Sequence, residues 1–168
     1  MSYFTNRELM YESDNGVETY EVTAGVPQGS VLGPLLWNIL YNDVLRLPLP
    51  KSVTIIGFAD DIAIVTAAKH IHQIEADTNT AISQVKDWLN SAHLDLAEHK
   101  TEAVLISSRK KVESMVVRIG GQVITSKTSL KYLGVILDNR LNFKMHVTYA
   151  IWLMLFCIRF ILAVLFYF

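Results

Sequence analysis

The segment GVETYEVTAGVPQGS opens with strict alternation, Val17, Thr19, Glu21 and Thr23 against Glu18, Tyr20 and Val22, which predicts a strand. Gly25, Pro27 and Gly29 break it. In SVLGPLLWNILYNDVLRL the apolar residues Leu35, Leu36, Ile39, Leu40 and Leu45 predict a mostly buried helix with Ser30 as its cap. The LPLP run at 47–50 stops it.

Val53–Ile56 and Ile62–Thr66 are β-branched runs of strand length on either side of Gly57–Asp61, a hairpin pattern. Ile71, Ile74, Thr78, Ala81, Ile82, Val85, Trp88 and Leu89 fall at helical spacing and predict an amphipathic helix over about 68–92. EAVLIS (102–107) predicts a strand. MVVRIGGQVITS predicts a second hairpin turning at Gly120–Gly121, and LKYLGVILD one more strand ending near Asp138. The order implies an α+β fold built on an antiparallel sheet with packed helices.

Asp60 and Asp61 interrupt the apolar run VTIIGFADDIAIVTA. Carboxylates are costly to remove from water unless paired, so the chain either turns over at them or holds a cation there. Neighbours on a straight strand point to opposite faces, and two adjacent acids can serve one site only near a turn. The alternative is a plain solvated hairpin end.

Composition adds three points. Hydrophobic residues make up 51% of the 168, inflated by the tail, where only Thr148 and Arg159 interrupt apolar residues from Val147 to Phe168. Residues 1–50 carry two bases against six acids and 51–99 three against seven, whereas 100–146 carry nine bases against three acids. That basic third suits a surface meeting phosphate, or a solvated face. Cys157, the single cysteine, leaves no disulfide framework, and His70, His72, His93, His99 and His146 show no metal-ligand spacing. The N-terminus has no basic-then-apolar signal pattern.

AGVPQGSVLGPLLWNILYND, then FADD, then HKTEAVLIS, then LKYLGVILD, in that order, resembles a reverse transcriptase. The likeness is to the insect-type, jockey-like non-LTR retrotransposon enzymes, from about Tyr3 to Val147. It implies the palm of an RNA-directed DNA polymerase, a nucleotidyltransferase using two Mg²⁺ ions with an RNA template and a DNA primer. By resemblance Asp60 and Asp61 are the catalytic metal ligands, with Phe58 and Ala59 just before them. Gly25, Pro27, Gln28 and Gly29 would face the templating base pair and incoming nucleotide. Lys100 would lie near the nucleotide phosphates, and Tyr132, Leu133 and Gly134 would belong to a primer-gripping hairpin. Each has an ordinary counterpart: a helix-entry loop, an exposed lysine, a piece of core.

The family's first catalytic aspartate precedes the GVPQGS loop by some tens of residues. Glu8, Glu12, Asp14, Glu18 and Glu21 do not lie in that motif. The expectation is therefore a partial palm domain over 1–147, inactive alone. Residues 148–168 form a separate apolar tail, and 150–168 have the length of a membrane-spanning helix, with Arg159 the one charge. Two further readings stand beside this one. The first is a non-catalytic nucleic-acid-binding remnant using 100–146. The second is a tail-anchored membrane protein carrying an idle palm remnant. The family implies cytoplasm or nucleus, and tail insertion a membrane.

Overall fold

A computed structural model describes residues 5–14, 16–23, 25–27, 29–111 and 113–165, the side chains of 155–165 excepted. Among these, three helices and four antiparallel strand pairs give a mixed α+β architecture. The strands are β1 (Glu8–Ser13), β2 (Gly16–Glu21), β3 (Val53–Phe58), β4 (Asp61–Thr66), β5 (Val116–Ile119), β6 (Gln122–Thr125), β7 (Ser129–Tyr132) and β8 (Val135–Asp138). The helices are α1 (Gly33–Val44), α2 (Ile71–Ser91) and α3 (Lys144–Leu165). Each strand pairs only with its sequence neighbour, so the expected single antiparallel sheet is realised as four two-stranded ladders.

The hairpin expected across the acids is present, with Phe58 opposite Asp61 and Val53 opposite Thr66. The Gly120–Gly121 hairpin is also present, Ile119 facing Gln122 and Gly120 taking a φ of +55°. The single strand expected over LKYLGVILD is instead the β7–β8 hairpin, because Leu133 (φ 46°) and Gly134 (φ 85°) both enter the left-handed region. Two consecutive positive φ values are what a tight type I′ reversal requires. The strand expected at 102–107 is not formed. Val104 makes one isolated bridge to Lys127, and Lys127 N–H donates to Ala103 O at 2.7 Å. A β-branched run remains a single extended contact when its neighbour offers one bridge and no ladder.

α2 is the common wall of two core clusters. Ile82 packs with Leu105, Met115, Val117 and Ile119, while Val85 and Leu89 pack with Tyr41 and Val44. Thr78, Ala81, Ile82, Val85 and Leu89 are buried as their spacing predicts, and Trp88 packs against the second cluster.

α1 departs from expectation. Tyr41 (7% exposed) and Val44 (0%) form its buried face, whereas Leu35 (57%), Ile39 (60%) and Leu45 (42%) are exposed. α1 is apolar on more than one side, so the face that meets the β3–β4 hairpin is set by contact and not by periodicity. Ser30 does help at its entrance. Its Oγ accepts the Gly33 N–H at 3.0 Å, two residues ahead of Leu32, the residue at the helix boundary.

The apolar tail was expected to be one helix over 150–168. α3 begins earlier, at Lys144, and 166–168 lie outside the described residues. Among the described residues no helix is long and apolar enough to cross a membrane. The first turns of α3 instead meet the β7–β8 hairpin. Lys131 Nζ donates to Tyr149 Oη at 3.0 Å and lies 4.8 Å from the Tyr149 ring centroid.

Candidate active site

Asp60 and Asp61 sit where the β3–β4 hairpin reverses, and both are exposed. Only Ala59 and Asp60 separate the paired residues Phe58 and Asp61, so this is a two-residue turn. Ala59 has a φ of +52°, a left-handed conformation that costs a residue bearing a Cβ roughly 1–2 kcal/mol. A turn of this kind resolves the sequence puzzle, because the strands stay partly buried while the acids reach water.

α1 holds the turn through two side chains one helical turn apart. Trp37 Nε1–H donates to the Ala59 carbonyl at 3.0 Å, and the Tyr41 hydroxyl donates to the Asp61 carbonyl at 3.2 Å. The two rings stack with centroids 5.4 Å apart and planes 27° from parallel. Gly57 makes this possible, since a Cβ there would overlap the Tyr41 ring and stand 3.4 Å from Leu45 Cδ2. Trp37, Asn38, Tyr41, Asn42, Gly57 and Ala59 line an open cleft of about 240 Å³ beside the turn.

The electrostatics centre on Tyr41. Burial first, then the negative charges of Asp60 and Asp61, and then the Tyr132 phenol push its hydroxyl up to about 12 from 10.0. Both acids therefore act on one phenol. Tyr132 belongs to the same neighbourhood, and its own hydroxyl is buried without a hydrogen-bond partner among the described residues. The structure thus joins Ala59, Asp60 and Asp61 around Tyr41, with Tyr132 within electrostatic reach, and aliphatic spacing alone does not point to Tyr41. The i, i+4 pair of donor-bearing aromatics, Trp37 and Tyr41, was the signal available for it.

The other expected residues have these local settings. Phe58 is 61% exposed and Leu133 46%. Gly25 (φ 79°) and Gly29 (φ 83°) are required by backbone angle and not by crowding, since a Cβ at either would meet nothing within 4 Å. Gly25 O accepts from Arg7 Nη1 at 2.6 Å, and Ser30 N–H donates to Pro27 O at 3.1 Å. Gln28 lies outside the described residues. Lys100 is exposed on the 3₁₀ turn Glu98–Lys100, whereas the contacts that bracket the acids come from α1.

Among the described residues no group of three or more metal-ligating side chains converges. Two carboxylate-bearing residues at a solvent-facing turn still suit Mg²⁺, which is commonly held by one or two carboxylates plus substrate phosphates and water.

The model of the family "Reverse transcriptase (RNA-dependent DNA polymerase)" matches residues 2–137. The Pol polyprotein of the R1 retrotransposable element of Bradysia coprophila is 29% identical over 150 residues, 89% of this chain and 15% of the relative. The RNA-directed DNA polymerase of the jockey element of Drosophila funebris is 32% identical across 88% of the chain and 17% of the relative. Its Drosophila melanogaster counterpart is 30% identical across 76% of the chain and 14% of the relative. The chain thus spans a small part of the curated relatives it matches. No solved structure matches it.

Proposed function

The chain belongs to the reverse transcriptase family, of non-LTR retrotransposon type, and on that premise we propose that it carries the acid-bearing turn of an RNA-directed DNA polymerase palm. The observation behind this reading is the exposed Asp60–Asp61 pair at the reversal of the β3–β4 hairpin, where α1 holds the Ala59 and Asp61 carbonyls. Asp60 and Asp61 would hold the divalent metal. When bound, paired Mg²⁺ ions activate the primer 3′ oxygen and stabilise the departing pyrophosphate.

The chain's own residues have three further tasks in this reading. The open cleft beside Ala59 gives an incoming nucleotide room next to the acids. The loop holding Gly25, Pro27, Gln28 and Gly29 leads into α1 and borders the nucleotide and template. Tyr132, Leu133 and Gly134 turn toward the primer strand, with Lys100 reserved for phosphate. RNA template and DNA primer are the partners this implies.

Two carboxylates alone hold a metal weakly. The 168-residue chain is expected to bind Mn²⁺ with a Kd on the order of 10⁻³ M or weaker. Binding should disappear in the Asp60→Asn/Asp61→Asn double variant, followed by the electron paramagnetic resonance of free Mn²⁺. Unchanged binding in that variant overturns the reading. The chain by itself is expected to extend no primer on RNA, because two ligands do not fix the attacking oxygen. Extension that is lost in Asp60→Ala would show that they suffice.

A second reading draws on Lys69, Ser107, Ser108, Arg109 and Lys111, which line a cleft of about 290 Å³ together with Glu113. There the chain would grip nucleic-acid backbone without chemistry. Sequence-indifferent binding that weakens steeply with salt, and survives loss of both turn acids, would mark it.

A further inference from the structure

Trp37 and Tyr41 do more than bury one face of α1. Their acceptors are the carbonyls of Ala59 and Asp61, at 3.0 and 3.2 Å. Those carbonyls belong to the peptide plane that enters the Asp60–Asp61 pair and the plane that leaves it. The central plane is closed by the hairpin's own Phe58–Asp61 pairing, so with both outer planes held by α1 the two Cα–Cβ directions follow the seating of the turn on that helix. Donors four residues apart on a helix are separated by about 6 Å along its axis, a span suited to acceptors two residues apart on a reversing chain.

We propose that Trp37 and Tyr41 are positioning residues for the Asp60–Asp61 carboxylates, acting as a two-point latch on the turn backbone. The proposal rests on the metal-binding reading of that turn. Two further observations support it. Ala59 sits in a left-handed conformation at φ 52°, and unrestrained backbone would relax away from it. Gly57 leaves the place that the Tyr41 ring fills, which fixes the height of the hydroxyl over the hairpin.

The test uses Trp37→Phe and Tyr41→Phe in the 168-residue chain, each keeping an aromatic ring and losing one donor. Val44→Ala serves as a purely structural control, since Val44 is buried in the same cluster and its side chain carries no donor for the turn's carbonyls, which take theirs from Trp37 and Tyr41. Each latch variant should weaken Mn²⁺ binding about 3- to 10-fold, the range that one net hydrogen bond corresponds to. Val44→Ala should lower the melting temperature and leave Mn²⁺ affinity unchanged. Backbone order parameters at Ala59, Asp60 and Asp61 should fall from about 0.85 toward 0.6 in both latch variants. Unchanged affinity and unchanged order parameters overturn the latch. Should Asp60→Asn bind Mn²⁺ as tightly as the parent, the metal reading fails instead. The order parameters then decide the latch alone, a fall sustaining it and constancy overturning it.

Discussion

The Asp138 carboxylate accepts the backbone N–H of Phe143 at 2.9 Å, joining the end of β8 to the residue just before α3. The same carboxylate accepts from Arg140 N–H at 2.9 Å and Asn142 N–H at 3.3 Å. Asp138 is 6% exposed and fully engaged, so it is a structural acid and not a spare ligand for the turn at Asp60.

Burial pushes the Asp138 carboxyl up, but the backbone donors together outweigh it and the net position is below the ordinary 3.8. A depressed folded-state value means stability that is present above the unfolded value and is lost as pH falls through the folded one. Asp138→Ala should therefore lower the melting temperature at neutral pH. It should also flatten the decline that the parent shows below about pH 4. An acid limb of equal steepness in the variant would contradict this assignment.

Tyr41 gives the opposite limb. Its folded-state value is raised from 10.0 to about 12, so its contribution is complete below pH 10.0 and fades as pH rises toward about 12. Tyr41→Phe should remove that alkaline decline, read as melting temperature against pH. Persistence of the decline in the variant would place its origin elsewhere.

Gly57→Ala is expected to destabilise the chain by about 1–3 kcal/mol, because the added methyl meets the Tyr41 ring. Combining it with Tyr41→Ala should give less than the sum of the two single losses, since the space is then shared. Strict additivity in a denaturant double-mutant cycle would show that the two sites do not touch.

Leu89→Ala removes a buried member of the cluster that holds Tyr41 and should cost about 2–5 kcal/mol in chemical denaturation. Leu35→Ala, at a position 57% exposed, should cost under about 0.5 kcal/mol. Equal losses would mean that the other face of α1 is buried in solution.

The sequence by itself determined the features whose causes are local. The acid-bearing turn between two β-branched runs, the Gly120–Gly121 reversal and the buried stripe of α2 each follow from neighbours within a few residues. The tertiary structure decided what depends on partners. α1 is apolar on several sides, and only contact with the hairpin selects Tyr41 and Val44 over Leu35 and Ile39. Residues 102–107 have strand composition, yet a strand exists only where a neighbour offers a ladder, and here one bridge forms. Leu133 reads as strand interior until its backbone turns left-handed beside Gly134. Tyr132 lies 91 positions after Tyr41 and 71 after Asp61 by their numbering. No periodicity spans such separations, and only the folded chain brings the Tyr132 phenol within electrostatic reach of Tyr41.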